Sequence, residues 1–600
     1  MCNKPVSRRF KRWIRIHRLT LLITGVMLLF VCRLIWLQFI DVNRSVPNDS
    51  HSMLSQSIIQ RERGVVLDSG RGQIVDRNGL TIAGQSIQTL VLFPLHSSSM
   101  QEEALYGLGR MLHIDREELR KRWLQAKEPI VWADLDDDKR KRMLSDEEVI
   151  YIQKHRWNGV YVLPYMERYP WGNQTPHWIG YTSFVQAQDE SANRYDQLTG
   201  TYGLERAFEP FLKPLGASTY VHYMDAGRKP LRGLGTRLSE PDNPYYPLKL
   251  VTTVDMTIEN KIAQIMDQHQ VRKGAVVVLD ADTRDVIAMV SRPVYDPYHI
   301  DPMLPNWNNQ ALQAISPGSI FKLVIAAAAL ETGVTNAKET FTCDGEYHKY
   351  GMACWKSEGH GTLMLGDALA ESCNVVFATL GELLSSKVID QYAAKLGLTG
   401  TIGMVSQHVL GHAALPHFDL EQAGQVFRKN KQGQIVTDGG VRAQAAIGQR
   451  DVRITPLAVA NAIVTIIKQG NDGHPRLVSR IEDAKGKVLI SFSKESNVHA
   501  GIQPRTAKLL MSWMRQTVTE GTGSALQDSP WSLAGKSGTA QANAYGKERM
   551  HSWFAGYGPA DRPRYAVAVV SEDENAGHPH KATLVFKKVM EELSKADRKL

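Results

Sequence analysis

The apolar segment LTLLITGVMLLFVCRLIWLQFI, Leu19–Ile40, constrains this chain more than any other feature of its sequence. As a helix its 22 residues would cover about 33 Å, enough to cross the hydrocarbon core of a bilayer. Seven basic residues precede the segment and Asp41 follows it. This asymmetry predicts a cell-membrane protein with one span, a cytoplasmic N-terminus and an exported remainder. The flank FIDVNRSV lacks a small-residue cleavage site, which favours an uncleaved anchor over a signal peptide.

The positive charge of the chain belongs to this N-terminal region. The sequence has 71 Lys/Arg and 62 Asp/Glu, but eight of the basic residues and none of the acidic ones lie in residues 1–40. Without them, 63 basic residues face 62 acidic ones. The exported part therefore lacks the basic surface that nucleic-acid binding requires, and we expect no nucleic-acid partner.

A chain of 600 residues is expected to form at least two folded units after the anchor. Residues 64–250 mix strand-like pieces (TLVLFPL, VYVLPY) with a helical one (REELRKRWLQ). Beyond them, GAVVVLDADTRDVIAMVS predicts a hairpin, WFAGYGPADRPRYAVAVVSED a second strand pair, and ATLVFKKVMEELSK a closing amphipathic helix. We predict an α+β fold, an antiparallel sheet flanked by helices, divided as follows: basic cytoplasmic head 1–18, transmembrane anchor 19–40, β-rich non-catalytic pedestal 41–250 and catalytic unit 251–600.

The stretch AISPGSIFKLVIAAAALE carries the first chemical signal. Ser319 and Lys322 lie three residues apart after Pro317-Gly318, which marks a helix start. A helix N-terminus stabilises an oxyanion, and an apolar, electropositive setting lowers the pKa of a lysine. Ser319 and Lys322 therefore form a candidate pair of nucleophile and general base.

Two further motifs follow in the order typical of serine acyl-transfer enzymes. ESCNVVFATL contains Ser372 and Asn374, and AGKSGTAQA contains Lys536, Ser537 and Gly538. Chance copies of single motifs exist, at Ser491–Lys494 for the first and Ser191–Asn193 for the second. Only the set beginning at Ser319 contains all three motifs in order.

Other kinds of site find less support. GKS at 535–537 is not a phosphate-binding loop because Pro530 stands where that loop needs glycine. No C-x-x-C pair is present, and two histidines in GHPHK (His578 and His580) are too few ligands, so no metal and no cofactor are expected. A disulfide between Cys343 and Cys354 stays open.

Beyond the three motifs, five segments in order resemble the class B penicillin-binding proteins, monofunctional peptidoglycan transpeptidases. They are RGQIVDRNG (71–79), TGTYGLERAFEPFL (199–212), NQALQAISPGSIFK (309–322), AIGQRDVRITPLAVANA (446–462) and HSWFAGYGP (551–559). The resemblance covers roughly residues 19–590. It implies a penicillin-binding/β-lactamase-like transpeptidase domain on a dimerisation-like pedestal.

The resemblance also implies roles for individual residues. Ser319 would form the acyl-enzyme and Lys322 would take its proton, while Ser372 would relay protons to the leaving amine. Asn374 would orient the peptide, and Lys536 would hold the proton network and the substrate carboxylate. Ser537, Gly538 and Thr539 would bind the carboxylate end, with the N–H groups of Ser319 and Thr539 as the oxyanion hole. Ser537 stands where threonine is commoner, and Arg450 where glycine is usual.

The implied partners are peptidoglycan stem peptides ending in D-Ala-D-Ala, an acceptor amine, β-lactams, and a membrane-embedded glycan polymerase that Arg33 would help to bind. A β-lactamase or carboxypeptidase of the same superfamily and a non-catalytic scaffold are the alternatives. Whether elongation, division or sporulation uses the enzyme stays open, as do the acceptor amine, β-lactam susceptibility and oligomeric state.

Overall fold

The structure is a computed structural model that describes residues 8–40, 62–95, 97, 100–133, 140–184, 198–223, 236–494, 501–544, 547–575 and 581–598. The Ser191–Asn193 motif and both histidines of GHPHK lie outside these residues. The N-terminal apolar segment is helical as predicted, but its α-helix already begins at Arg8 and ends in a π-helical turn at Trp36–Ile40. Its stretch Arg12–Gln38 contains an 18-residue window with a mean hydropathy of 2.2 and is long enough to cross a membrane.

The bounds of the regular elements define the labels used below. The α-helices are α1 Arg8–Ile35, α2 Glu102–Leu112, α3 Arg116–Gln125, α4 Asp146–His155, α5 Gly203–Ala207, α6 Glu209–Leu212, α7 Met256–Gln268, α8 Lys322–Glu331, α9 Leu365–Ala370, α10 Asn374–Leu383, α11 Ser386–Lys395, α12 Gly439–Ala446, α13 Pro456–Ile467, α14 Pro504–Thr519 and α15 Lys581–Asp597. Short 3₁₀ turns include Gly318–Phe321 and Ser524–Leu526.

The strands follow the same chain order. They are β1 Glu62–Asp68, β2 Gln73–Val75, β3 Thr81–Ala83, β4 Gln85–Leu92, β5 Ile130–Val131, β6 Val160–Glu167, β7 Tyr181–Phe184, β8 Leu198–Tyr202, β9 Ser218–Tyr223, β10 Thr236–Ser239, β11 Lys249–Thr252, β12 Gly274–Asp280, β13 Val286–Arg292, β14 Thr340–Cys343, β15 Gly361–Met364, β16 Val405–Val409, β17 His412–Pro416, β18 Val478–Glu482, β19 Val488–Ser491, β20 Ala534–Ala544, β21 Lys547–Gly558 and β22 Tyr565–Glu574.

The sheet of the C-terminal unit is antiparallel throughout, in the order β13-β12-β22-β21-β20. Both predicted strand pairs are confirmed: β12 pairs with β13, and β21 with β22. The closing helix is α15, as predicted. The fold class therefore agrees with the sequence prediction.

Each face of this sheet is covered because successive side chains of a strand point to opposite sides. Along β12, Ala275 and Val277 join the core that contains α8 and α13, whereas Val276 and Val278 join the core that contains α7 and α15. Two helical layers thus enclose the sheet. Most side chains of α8 are fully buried, which makes this helix a rigid support.

The N-terminal region contains its own sheets, β5-β4-β6 and β1-β9-β10. The sheet β5-β4-β6 packs against α2 and α3 around Leu90, Leu105 and Trp123. A further sheet, β19-β18-β11-β2-β3, joins distant parts of the chain. Its strand β11, where the predicted boundary at residue 250 falls, pairs in parallel with β2 and antiparallel with β18.

Candidate active site

The first motif occupies a tight turn rather than the first turn of an α-helix. Gly318–Phe321 form a 3₁₀ turn, and α8 begins only at Lys322, so the predicted helix start near Ser319 is displaced by three residues. In a 3₁₀ turn residues i and i+3 lie on the same side, so Ser319 and Lys322 still share a face. The turn depends on Gly318, whose φ is +55° and whose N–H donates to the Gly448 carbonyl at 3.0 Å.

The third motif lies directly against this turn. A Cβ on Gly538 of β20 would come within 2.7 Å of the Pro317 carbonyl oxygen, and a Cβ on Gly318 within 2.3 Å of the Thr539 carbonyl oxygen. Both approaches require glycine. The two glycines therefore bring residues 537–539 alongside Ser319.

The second motif is joined to the first through the side chain of Lys322. Its Nζ donates to the Ser372 carbonyl at 2.7 Å and to Asn374 Oδ1 at 2.8 Å, with Ser372 Oγ at 3.4 Å. Lys322 has 0% exposure, and burial lowers its pKa to about 7. Near neutral pH a large share of this amine is therefore uncharged and able to accept a proton.

The backbone of the Ser372–Asn374 turn is locally strained, as is common at functional sites. Ser372 has a φ of +58°, a left-handed conformation that a serine adopts at some energetic cost. Cys373 caps α10, which begins at Asn374. The conformation turns the Ser372 carbonyl and the Asn374 side chain toward the same amine.

Lys536 lies on β20, next to Ser537, and also has 0% exposure. Its Nζ donates to the Ser537 carbonyl at 3.0 Å. Burial lowers the pKa of Lys536 well below its usual value, the charge of Lys322 lowers it further, and Glu371 opposes the change. The charge of one buried amine thus lowers the pKa of the other, a kind of perturbation that is common at functional sites.

The entrance to the site is polar. Ser319 and Ser537 are half-buried and Thr539 is exposed. Thr522, which the sequence analysis did not single out, lies with its Oγ1 at 2.7 Å from Ser537 Oγ. No local motif marks Thr522, because the contact depends on how the turn before β20 folds back.

The competing first-motif copy does not join the site. Ser491 ends β19, at the edge of a different sheet from β20, and Lys494 is exposed. A cavity of about 380 Å³ also lies elsewhere, between residues 173–177 and α7, and its lining includes none of the predicted site residues.

Three thiols and an imidazole assemble directly behind the Ser372–Asn374 turn. The potential ligand atoms of Cys343, Cys354, His360 and Cys373 all lie within 4.8 Å of one another. The three cysteines carry free thiols, so the open Cys343–Cys354 disulfide is not formed here. The fold gathers these donors from separate segments, so the missing C-x-x-C pair does not exclude a metal site. The sequence signal that was available was three cysteines and two histidines, His348 and His360, within residues 343–373.

Two family models match the chain. Residues 274–591 match the penicillin binding protein transpeptidase domain, and residues 66–243 match the penicillin-binding protein dimerisation domain. Stage V sporulation protein D of Bacillus subtilis is 26% identical over 583 residues, covering 93% of this chain and 82% of that protein. The peptidoglycan D,D-transpeptidase MrdA of Escherichia coli K12 is 25% identical over 614 residues, covering 93% and 90%.

The fold is also similar to solved structures. Penicillin-binding protein PBP2 of Helicobacter pylori has a TM-score of 0.61 at 20% identity, over 89% of this chain and 99% of that chain. The structure of the complex between PBP2 and MreC from the same organism gives a TM-score of 0.60 over the same shares. The similarity thus extends over both the N-terminal region and the C-terminal unit.

Proposed function

This chain belongs to the class B penicillin-binding proteins and is a peptidoglycan D,D-transpeptidase, and from that premise we propose that Ser319 is its nucleophile and Lys322 the general base. The observation that carries the proposal is the position of Lys322. Lys322 is the first residue of the helix that follows the Ser319 turn. Its amine is fully buried and donates to the Ser372 carbonyl and to Asn374 Oδ1.

Acylation follows from this geometry. Ser319 Oγ attacks the carbonyl carbon of the penultimate D-alanine of a stem peptide, and the neutral Lys322 amine takes the hydroxyl proton. The negative charge on the carbonyl oxygen is stabilised by the backbone N–H groups of Ser319 and Thr539. The C–N bond then breaks, and Ser372 passes a proton to the leaving nitrogen, so that D-alanine departs and an ester to Ser319 remains.

Deacylation by an amine completes the cross-link. The side-chain amine of a second stem peptide attacks the ester carbon, gives up a proton to the Lys322–Ser372 network, and restores the Ser319 hydroxyl. Lys536 and the polar side chains of Ser537 and Thr539 hold the carboxylate end of the donor, with Gly538 giving the close approach of β20. A β-lactam enters the same path, but its ring-opened product stays attached to Ser319.

The test is a donor–acceptor assay with the purified full chain. A stem pentapeptide ending in D-Ala-D-Ala should release D-alanine and yield an amide with an added amine, and Ser319→Ala should abolish both products. Ser491→Ala, which changes the unused motif copy, should retain them. Products formed with water instead of the amine would identify the superfamily's hydrolases as the better description.

We also propose that α1 crosses the membrane with its N-terminus in the cytoplasm and that Arg33 binds a membrane-embedded glycan polymerase. Arg33 is exposed on α1, in a segment where an unpaired guanidinium is costly. Replacement by Leu should reduce co-purification with that polymerase. Full recovery of the partner with Arg33→Leu would refute this role for Arg33.

A further inference from the structure

A short segment after α12 lies against the chain that leads to the nucleophile. The Gly448 carbonyl accepts a hydrogen bond from the Gly318 N–H at 3.0 Å, and Arg453 Nη1 donates to Ser316 Oγ at 2.6 Å. Two residues of chain span at most about 7 Å. The Cα of Arg450 therefore lies within that distance of Gly448, at the edge of the active site.

The backbone of Arg450 is in a conformation that suits glycine better than arginine. Its φ is +58°, in the left-handed region that residues with a side chain seldom adopt. Glycine, which is usual at this position in the class B proteins, adopts this conformation without steric cost. An arginine that is kept here despite the strain points to a use for its side chain.

The guanidinium of Arg450 is held in place but its charge is not neutralised. The side chain is exposed, and its Nη1 donates to the uncharged Gln444 Oε1 at 3.2 Å. The adjacent carboxylate, that of Asp451, instead pairs with Arg428 Nε at 3.2 Å. Among the described residues no carboxylate forms an ion pair with Arg450. Its remaining N–H donors can therefore bind a carboxylate of a ligand in the planar, two-pronged geometry that arginine favours.

Positive charge is concentrated in this part of the chain. Residues 428–453 contain six basic and two acidic residues, whereas residues 41–600 as a whole contain 63 and 62. An excess of one sign beside a cleft attracts ligands of the opposite sign. The charge of the segment thus favours an anionic group on the substrate that passes it.

The direction of the donor peptide brings one of its residues to this segment. The proposed contacts hold the terminal carboxylate at Ser537 and Thr539, so the peptide that precedes D-Ala-D-Ala runs beside the later residues of β20, the edge strand of the sheet. In that stretch Ala540 pairs with His551. Burial lowers the pKa of His551, and nearby positive charges, including that of Arg453, lower it further. The segment that carries Arg450 therefore approaches the same stretch of β20.

We propose that Arg450 is a specificity-determining residue whose guanidinium binds a side-chain carboxylate on the stem-peptide residue that precedes D-Ala-D-Ala in the donor. The donor is then a stem peptide with a diamino-dicarboxylic acid at that residue, rather than a diamino-monocarboxylic acid such as lysine. This inference rests on the proposed function and deepens it by naming the chemical class of the donor. No bond changes at Arg450, so the contact acts on donor binding and is expressed mainly in KM.

The test compares two donor pentapeptides that differ in one group. Both end in D-Ala-D-Ala after a 2,6-diaminopimelate residue, whose side-chain carboxylate is free in one peptide and a carboxamide in the other. The full chain in detergent should release D-alanine from the free acid with a kcat/KM at least about fivefold higher, the upper range for an exposed Arg–carboxylate pair. Equal kcat/KM values for the two peptides would overturn the proposal.

Two neutral variants separate the side chain of Arg450 from its backbone. Arg450→Gly and Arg450→Asn both tolerate the left-handed conformation, but only glycine makes the chain more flexible. Both should bring the ratio of the two kcat/KM values to within about twofold of one, because both lack the guanidinium. A preference that persists in Arg450→Asn would contradict the proposal.

A control variant removes a positive charge elsewhere in the same unit. Arg562 is exposed in the turn between β21 and β22. Arg562→Gln should keep the full preference for the free acid. A preference lost equally in this variant and in Arg450→Gly would assign the effect to the overall charge and refute a specific contact.

A binding measurement distinguishes failure of this inference from failure of the proposed function. The full-length Ser319→Ala protein should bind the free acid at least about fivefold more tightly than the carboxamide, and adding Arg450→Gly should remove the difference. If the parent released D-alanine from neither peptide, the proposed function would fail, and the binding ratio would still decide on Arg450. Equal affinities for the two peptides would overturn the inference.

Discussion

At the scale of single residues, catalysis depends on the buried amine of Lys322. A lysine without solvent exposure is costly unless its charge is neutralised or its proton is used. Its two close acceptors, a carbonyl and an amide oxygen, are both uncharged. The side chain is therefore suited to exchange a proton rather than to hold an ion pair.

Removal of this amine should abolish most of the acylation. Lys322→Ala should lower the second-order rate of fluorescent penicillin labelling by about 10²–10⁴-fold, the usual contribution of a general base. Lys494→Ala, an exposed lysine of the unused motif copy, is the control and should label at the parent rate. A Lys322→Ala protein that is folded and fully reactive would exclude the amine as base.

The pH dependence of acylation should report the same group. The pKa of Lys322 is lowered to about 7, so the reactive neutral form increases as pH rises through that value and predominates above it. The labelling rate should therefore rise from acidic pH, with a midpoint near the pKa, and then level off.

A single substitution should move that midpoint in a known direction. Asn374→Asp places a carboxylate where an amide oxygen now lies 2.8 Å from the amine, so the ammonium form is stabilised and the pKa rises. The midpoint should shift upward by at least about one pH unit, whatever happens to the maximum rate. A midpoint identical to that of the parent would assign the titration to another group.

At the scale of elements, the site is assembled by the close packing of β20 against the Ser319 turn. Gly538→Ala should disturb this packing, because the new methyl group would meet the Pro317 carbonyl oxygen at 2.7 Å. We expect a labelling rate lowered at least tenfold in a protein that still folds. Gly216→Ala in the N-terminal region, whose methyl group meets only the Pro241 ring at 3.2 Å or more, should leave the rate unchanged.

The elements that the sequence predicted well are those with a strong local period. Strands β12, β13 and β22 have β-branched residues, β21 has the aromatic residues Trp553, Phe554 and Tyr557, and a clear turn joins each pair. Helix α15 has a helical apolar stripe. Pairing between strands that are far apart in the sequence leaves no such local signal. For example, β2 and β11 pair in parallel although more than 170 residues separate them. The exact helix start at Lys322 also depended on a contact, that of Gly318 with Gly448.

The candidate site likewise contains residues that the sequence predicted and residues that only the folded structure reveals. Three short motifs that follow one another in a fixed order made five site residues recognisable in the sequence: Ser319, Lys322, Ser372, Asn374 and Lys536. Thr522 and the cluster of Cys343, Cys354, His360 and Cys373 become visible only when the chain folds, since neither has a spacing that a motif describes.

At the scale of the whole molecule, a buried ion cluster anchors the N-terminal region. Arg71 Nε and Arg168 Nε each donate to the carboxylate of Glu205 at 2.7 Å, and Glu205 has 0% exposure. Burial alone would raise the pKa of Glu205, but the two guanidinium groups outweigh it and the pKa is lowered. Glu205 therefore carries its negative charge in the folded protein.

Loss of the central charge should therefore destabilise the protein strongly. Glu205→Gln leaves the buried guanidinium of Arg168 without its anion and leaves Arg71 with Glu209 alone, which should cost about 3–5 kcal/mol of folding free energy. The midpoint of thermal denaturation should fall well below that of the parent. Arg120→Gln removes an exposed pair with Glu102, worth at most about 1 kcal/mol, and should hardly move the midpoint. Equal midpoints for the two variants would contradict this account of the cluster.

The position of the covalent adduct tests the assignment of Ser319 as the nucleophile. The full chain is incubated with a β-lactam, digested, and mapped by mass spectrometry. We expect one modified residue, Ser319, and no adduct in Ser319→Ala. An adduct at Ser491 or at any other residue, or an unmodified protein after treatment with several β-lactams, would contradict it.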